Sequence, residues 1–193
     1  GNSRAPCSSW PETEATMNPL AYPLERIARW DGAVALRLNR GAGRSRWLCA
    51  AFRVVSRLGD GVAWYALMLA LLLRFGPDAV PAVLHMIAAG LVCTALYKLI
   101  KSRTVRPRPY EAQPGIMLFA APLDHFSFPS GHTLHAVAFT LVALAYYPWL
   151  AWIAVPFTLL VAASRMMLGL HYPSDVLAGV AIGAAVAGAS LLI

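Results

Sequence analysis

Five apolar runs follow residue 53, separated by short polar segments. A helix needs roughly 20 apolar residues to cross the hydrocarbon core of a bilayer, and these runs approach or reach that length. The pattern therefore predicts an all-α fold, a polytopic helical membrane bundle with about five transmembrane helices. We place these helices at residues 54–75, 80–100, 133–147, 149–163 and 176–193.

A basic segment precedes the first run. Between residues 24 and 57, arginines alternate with tryptophan, leucine, valine and phenylalanine. This pattern is typical of a helix that lies on a membrane surface with its arginines against anionic headgroups. The alternative is a disordered basic arm, which the tryptophans disfavour. We therefore predict an N-terminal amphipathic interfacial segment.

Residues 1–16 are polar and contain two prolines. They lack the basic start and the apolar core of a signal peptide. We interpret them as an added leader, with Met17 as the natural start. Residues 17–193 then form a single integral-membrane domain.

Composition supports a membrane protein. Hydrophobic residues make up 59% of the chain, and the mean hydropathy of +0.58 is far above that of soluble domains. The net charge of +7 comes from arginines beside apolar segments, which favours lipid phosphates over nucleic acid as the partner. Cys7, Cys49 and Cys93 have no paired spacing, so we predict neither a disulfide framework nor a metal site.

Polar residues gather at one predicted membrane face. Because successive spans alternate in direction, the second and fourth spans end on the face where the third and fifth begin. Three polar clusters fall at these positions, over residues 101–109, 128–133 and 164–175. The spans therefore predict that the three clusters meet in one pocket.

The third cluster, SRMMLGLHYPSD, carries the clearest chemistry. His171 and Asp175 are four residues apart, so a helix that opens at Pro173 brings the carboxylate close to the imidazole and fixes its tautomer. Arg165 ends the preceding run. An oriented neutral imidazole beside a guanidinium suits nucleophilic attack on an anion. A helix cap with an incidental histidine is the alternative.

The second cluster, FPSGHT, contains Ser130 as a helix N-cap, Gly131 for close backbone approach and His132 in the first helical turn. Free N–H groups and the helix dipole at such a start favour an anion. Pro-Ser-Gly is also a common turn, which is the alternative interpretation.

The first cluster, KSRTVRPRP, places Lys101 and three arginines where prolines stop the helix. Basic residues here also anchor a span at the interface, and we expect Arg103 and Arg106 to contact headgroups. The loop over residues 110–127 follows. It carries Asp124 and would either cover the site or admit substrate.

Together the clusters resemble the type-2 phosphatidic acid phosphatase family, whose membrane lipid phosphatases share a core with vanadium haloperoxidases. The family's motifs K-x6-R-P, P-S-G-H and S-R-x5-H-x3-D occur in order within residues 59–193. The matching residues are Lys101, Arg108 and Pro109; Pro129, Ser130, Gly131 and His132; and Ser164, Arg165, His171 and Asp175.

The resemblance implies a role for each matched side chain. His171 would attack phosphorus and form a phosphohistidine, with Asp175 orienting it, and His132 would protonate the leaving oxygen and then activate water. Phosphoryl transfer depends mainly on positioning and charge stabilisation, so no cofactor and no metal are required. The phosphate-binding residues would be Lys101, Arg108, Ser130, Gly131 and Arg165.

The expected activity is hydrolysis of a lipid phosphate or diphosphate, such as phosphatidylglycerophosphate, phosphatidic acid or undecaprenyl diphosphate. A lipid phosphotransferase using the same intermediate and a non-catalytic lipid-binding protein are the alternatives. The expected partners are this lipid and the bilayer, with no nucleic acid. The GxxxG pair Gly179 and Gly183 permits close helix packing and leaves the oligomeric state open.

The expected location is the cell membrane of a bacterium, where the chain is multi-pass. The basic excess before the first span favours a cytoplasmic N-terminus, which with five spans places the pocket on the cytoplasmic face. Analogy with many bacterial relatives of the family places it on the periplasmic face instead.

Overall fold

The computed structural model describes residues 21–122 and 124–192, and the backbone alone for residues 21–25. The predicted leader, Met17 and Cys7 lie outside this range. Within it the chain is helical and contains no β-strand. Its α-helices are α1 (Ala21–Gly43), α2 (Arg46–Arg57), α3 (Ala63–Phe75), α4 (Val80–Lys101), α5 (Pro109–Ala112), α6 (Gly131–Tyr146), α7 (Ala151–Met167) and α8 (Pro173–Ser190).

Three helical stretches are long and apolar enough to cross a membrane: Arg46–Lys101, Pro148–Met167 and Pro173–Ser190. The first contains both α3 and α4, joined by a 3-10 turn over Gly76–Ala79. α6 is apolar but only 16 residues long. The five predicted runs therefore correspond to α3, α4, α6, α7 and α8.

The first run begins later than predicted because the helix is kinked. A π-helical turn, Leu58–Val62, separates α2 from α3, and Gly61 there has a φ of 110°. A side chain rarely adopts this backbone conformation, so glycine permits the bend. Residues 54–57 consequently belong to α2, and Asp60 projects from the kink.

α6 lies at the centre of the bundle. Two helices approach it closely at glycines: a Cβ on Gly179 of α8 would lie 2.7 Å from the Ser130 oxygen, and one on Gly90 of α4 would lie 2.8 Å from the Phe139 ring. The GxxxG pair thus packs within the chain, against α6. Trp64, Met86, Phe139, Val142 and Val161 belong to the main apolar core.

The predicted amphipathic segment is two helices that pack on one end of the bundle. Its arginines are exposed, as is 86% of Trp47, while Asp31 and Asn39 are fully buried on the opposite face of α1. The Asn39 amide donates to the Met117 and Met167 carbonyls at 2.8 and 3.1 Å and accepts from the Met117 N–H at 2.8 Å. The inward face of α1 is therefore fastened to the end of α7.

Candidate active site

The loop between α7 and α8 folds back on itself and turns His171 inward. Leu170 and His171 both donate their N–H groups to the Arg165 carbonyl at 3.1 Å. Gly169 has a φ of 77°, and a Cβ there would lie 2.6 Å from the Met117 oxygen. Glycine is therefore required for this turn, which leaves His171 only 2% exposed.

Asp175 lies beside His171 in the first turn of α8. Its Oδ2 atom accepts a hydrogen bond from the Tyr172 N–H at 2.8 Å and is 3.7 Å from His171 Nδ1. That Nδ1 atom is buried and has no hydrogen-bond partner in the described part of the chain. The predicted pair is therefore adjacent but is not hydrogen-bonded.

His171 is held in its neutral form. Burial lowers the pKa of His171 well below its ordinary value, and the positive charges of Arg165, Arg108 and Lys101 lower it further. A neutral imidazole retains the lone pair that a nucleophile needs. The other ring nitrogen, Nε2, lies 3.4 Å from Nη1 of Arg108.

Two of the predicted phosphate-binding cations converge on Asp124. Lys101 Nζ and Arg108 Nη2 each lie 2.6 Å from the same oxygen of the Asp124 carboxylate, and the Tyr97 hydroxyl donates to the other oxygen. Burial alone would raise the pKa of Asp124, but the hydrogen bonds from Lys101, Tyr97 and Arg108 lower it to about 2. In this structure both cations are therefore paired with a carboxylate.

The second motif opens α6. A Cβ on Gly131 would lie 2.7 Å from the Tyr97 ring, so glycine permits this close approach. Ser130 occupies the N-cap position, but its hydroxyl pairs with the Thr133 hydroxyl at 2.9 Å instead of capping a backbone N–H. The Ser130 N–H donates to the Asp175 carbonyl at 3.1 Å, which joins the starts of α6 and α8.

His132 and Arg165 line a common polar cavity of about 410 Å³. Asp60, from the kink before α3, places a carboxylate oxygen 3.4 Å from His132 Nε2. Arg165 is 3% exposed and donates to the Ser56 hydroxyl, and its Nε is buried with no partner among the described residues. Arg53 and Arg57 also line this cavity, which is therefore strongly cationic.

A second cavity, of about 310 Å³, opens between α3, α4 and α6. His132 and Asp60 line both cavities, so the imidazole lies where the polar space meets the apolar one. The apolar side chains that line the second cavity include Trp64, Met68, Ile87, Leu91 and Phe139.

Arg106 differs from its prediction. Arg103 is exposed, as a headgroup contact requires, but the Arg106 guanidinium points into the protein and pairs with Asp175 and Asp31 at 2.6 Å each. Sequence reasoning missed Asp31, Asp60 and Asp124 as well. Asp31 lies in a basic segment and Asp124 in a loop, where solvent exposure is the ordinary expectation. Asp60 lies within the predicted span 54–75, where an acidic residue is unusual, and this is the signal that could have identified it.

The structure thus brings the eight predicted site residues to one end of the bundle. His171, Asp175, Arg108 and Lys101 form one connected group, the last two through Asp124. The start of α6, with Ser130 and Gly131, is joined to this group through the backbone of Asp175. His132 and Arg165 share the polar cavity.

A family model described as "PAP2 superfamily" matches residues 78–193, a region that contains all three motifs. The chain belongs to the PAP2 superfamily. The family and the lipid-phosphatase class implied by the motifs are confirmed by this match and by the relatives below, and the all-helical membrane fold predicted from the apolar runs is confirmed by the structure and its neighbours. α1, α2 and the kink with Asp60 lie outside the matched region.

Two relatives agree with this assignment. The decaprenylphosphoryl-5-phosphoribose phosphatase of Mycobacterium tuberculosis is 35% identical over 84% of this chain and 89% of its own length. The undecaprenyl-diphosphatase BcrC of Bacillus subtilis is 32% identical over 63% of this chain and 62% of its own length.

Two crystal structures share the fold. Aquifex aeolicus LpxE has a TM-score of 0.66 at 24% identity, covering 83% of this chain and 94% of that one. The transmembrane PAP2-type phosphatidylglycerolphosphate phosphatase from Bacillus subtilis has a TM-score of 0.64 at 22% identity, covering 89% and 88%.

Proposed function

We propose that this protein hydrolyses a phosphate or diphosphate ester of a membrane lipid through a phosphohistidine on His171. The observation that carries the proposal is the setting of this imidazole. It is buried, with Nδ1 beside the Asp175 carboxylate and Nε2 beside the Arg108 guanidinium, and this burial lowers its pKa well below the ordinary value. A nucleophile placed next to a cation suits attack on an anionic phosphoryl group.

In the first step, His171 Nε2 attacks phosphorus, and the bond from phosphorus to the leaving oxygen breaks. His132 gives its proton to that oxygen. The Asp60 carboxylate, 3.4 Å from His132 Nε2, stabilises the imidazolium against the opposing effects of burial and of Arg165. In the second step, water attacks the phosphohistidine, His132 takes a proton from the water, and inorganic phosphate leaves. Lys101, Arg108 and Arg165 hold the phosphoryl oxygens throughout.

The two cavities support a lipid as the substrate. The apolar cavity reaches His132 from between α3, α4 and α6, and can hold a hydrocarbon chain next to the reacting phosphate. The relatives named above act on polyprenyl-linked substrates, so decaprenylphosphoryl-5-phosphoribose and undecaprenyl diphosphate head the substrate panel, followed by phosphatidylglycerophosphate and phosphatidic acid.

The test is phosphate release from this panel by the purified protein, with excess chelator present. We expect turnover of at least one lipid, an unchanged rate in chelator, and an acid-labile, base-stable phosphoenzyme on rapid quenching. Loss of activity in chelator would contradict metal-independent hydrolysis. Phosphate recovered on a second lipid instead of in water would identify a transferase.

We further propose the bacterial inner membrane as the location, with the site on the cytoplasmic side. Asn39 holds α1 at the end of the bundle that carries the site, and α1 and α2 bear many exposed arginines. Basic residues next to membrane spans favour the cytoplasmic side, so the site is placed there with them. Cys49 is buried and unsuited to labelling, so exposed Ser102 is changed to cysteine in a Cys7→Ser background. In intact cells, an impermeant thiol reagent should leave this cysteine unlabelled. Labelling would place the site in the periplasm.

A further inference from the structure

Arg106 lies in the first motif region, between Lys101 and Arg108, but none of its described contacts is with a residue that we assign to phosphate. Nη1 is 2.6 Å from Asp175 Oδ1 and donates to the Ser174 hydroxyl at 2.7 Å. Nη2 is 2.6 Å from Asp31 Oδ2. The guanidinium also stacks on the Tyr172 ring, 4.2 Å from its centroid.

Asp31 is the second member of this group and comes from α1. Its side chain is fully buried, and it accepts hydrogen bonds from the Ser174 N–H at 3.0 Å and from the Ser174 hydroxyl. Asp175 is also fully buried. Burying two carboxylates without a cation would cost free energy of folding. Arg106 is a cation that both carboxylates contact.

The two carboxylate oxygens of Asp175 have different partners. Oδ1 binds Arg106, while Oδ2 accepts from Tyr172 and faces His171 Nδ1. The contact on Oδ1 fixes the rotation of the carboxylate and so fixes where Oδ2 lies. A rotation of the Asp175 carboxylate would move Oδ2, whose negative charge orients the His171 imidazole.

We propose that Arg106 and Asp31 are positioning residues for the reaction, which hold Asp175 and through it the nucleophile His171. The proposal rests on the function proposed above for His171. Neither residue is a motif position, and Asp31 lies in α1, outside the region matched by the family model. The N-terminal helices would then form part of the catalytic apparatus.

The first experiment compares Arg106→Ala with Arg103→Ala, a matched control in the same loop whose side chain is exposed. For Arg106→Ala we expect kcat to fall roughly 10- to 100-fold while KM changes less than about 3-fold, because the phosphate-binding cations are intact. Arg103→Ala should retain the wild-type kcat.

Chemical rescue separates positioning from a general loss of structure. The Arg106 side chain is 29% exposed, so guanidinium ion added to the assay can reach the space left by Arg106→Ala. We expect it to restore several-fold of the lost kcat in Arg106→Ala and to leave Arg103→Ala unchanged. A fall in melting temperature without rescue would show a merely structural role and would overturn the proposal.

Asp31→Asn keeps the side-chain shape, and so remains informative if Arg106→Ala does not fold. Its kcat should fall roughly 5- to 20-fold, and the double variant with Arg106→Ala should be little worse than Arg106→Ala alone. Unchanged kcat in these variants, or a raised KM alone, would overturn the proposal while leaving hydrolysis through His171 intact. An inactive wild-type protein would instead overturn the proposed function, and this inference with it.

Discussion

The motif-bearing helices and the N-terminal helices meet at the same end of the bundle but contribute different groups to it. α4, α6, α7 and the loops that follow α4 and α7 supply His171, His132 and the cations proposed to touch phosphate. α1 and α2 supply partners for side chains at this end: Asp31 binds Arg106, and Ser56 binds Arg165. Some of the groups that hold the site in place therefore lie outside the motifs, in the N-terminal helices.

The largest expected effect lies in the motif region. His171→Ala should reduce turnover by at least about 1,000-fold and abolish the phosphoenzyme, because the proposed nucleophile is gone. The matched control is His85→Gln, since His85 pairs with Tyr146 and Ser190 and has no described contact with the site residues. Phosphate release measured side by side tests this. A His171→Ala protein with near-normal turnover would remove the residue from its role.

The kink before α3 tests whether the N-terminal part of the chain takes part in proton transfer. Asp60→Asn should lower kcat by roughly 10-fold, because His132 loses the carboxylate that favours its protonated form. The exposed Asp78, in the turn between α3 and α4, provides the control variant Asp78→Asn. Equal kcat values for the two variants would show that Asp60 has no part in the reaction.

The loop carboxylate Asp124 should oppose phosphate binding. Asp124→Asn removes the charge that Lys101 and Arg108 share, so inorganic phosphate should inhibit the variant at roughly 3- to 10-fold lower concentration. Glu111→Gln changes the charge of the same loop without touching either cation's side chain. An unchanged inhibition constant in Asp124→Asn would mean that phosphate binds elsewhere.

Asn39 should affect stability and scarcely affect chemistry. Asn39→Ala removes three hydrogen bonds that join α1 to the backbone of Met117 and Met167. This loss should lower the free energy of unfolding by about 2–3 kcal/mol. Thermal unfolding in detergent measures this change. Full activity below the melting temperature is expected, and a loss of kcat comparable to that of Asp60→Asn would instead place α1 closer to the chemistry.

The smallest expected effect is a pH dependence of stability. The pKa of His171 is depressed in the folded protein, so the unfolded chain binds a proton that the folded one does not as the pH falls below 6.5. This histidine should therefore cost about 1.4 kcal/mol of stability per pH unit below that value. His171→Gln should show a shallower loss of melting temperature as the pH falls below 6.5, because glutamine takes up no proton in either state. If the melting temperatures of the wild-type protein and of His171→Gln fell equally with pH, the proposal that His171 is buried in its neutral form would be contradicted.

The sequence predicted the apolar helices because they depend on local patterns, whereas the roles of the eight site residues follow from the family resemblance and stay predictions. Apolar run lengths place α4, α6 and α8 closely, and motif spacing places His171 next to Asp175. It did not predict the contact between Arg106 and Asp31, which are 75 residues apart. In a basic amphipathic segment, one aspartate that faces inward and one that faces water have the same local sequence signal, and only tertiary packing separates them.

The shared position of His132 and Asp60 on two cavities bears on how the products separate. In the proposed hydrolysis, the product that keeps the hydrocarbon chain, an alcohol or a lipid monophosphate, would be left at the apolar cavity and inorganic phosphate at the polar one. Each fragment then departs into the medium that dissolves it. Product exit would need no large opening of the bundle, because both routes begin at cavities that the same imidazole lines.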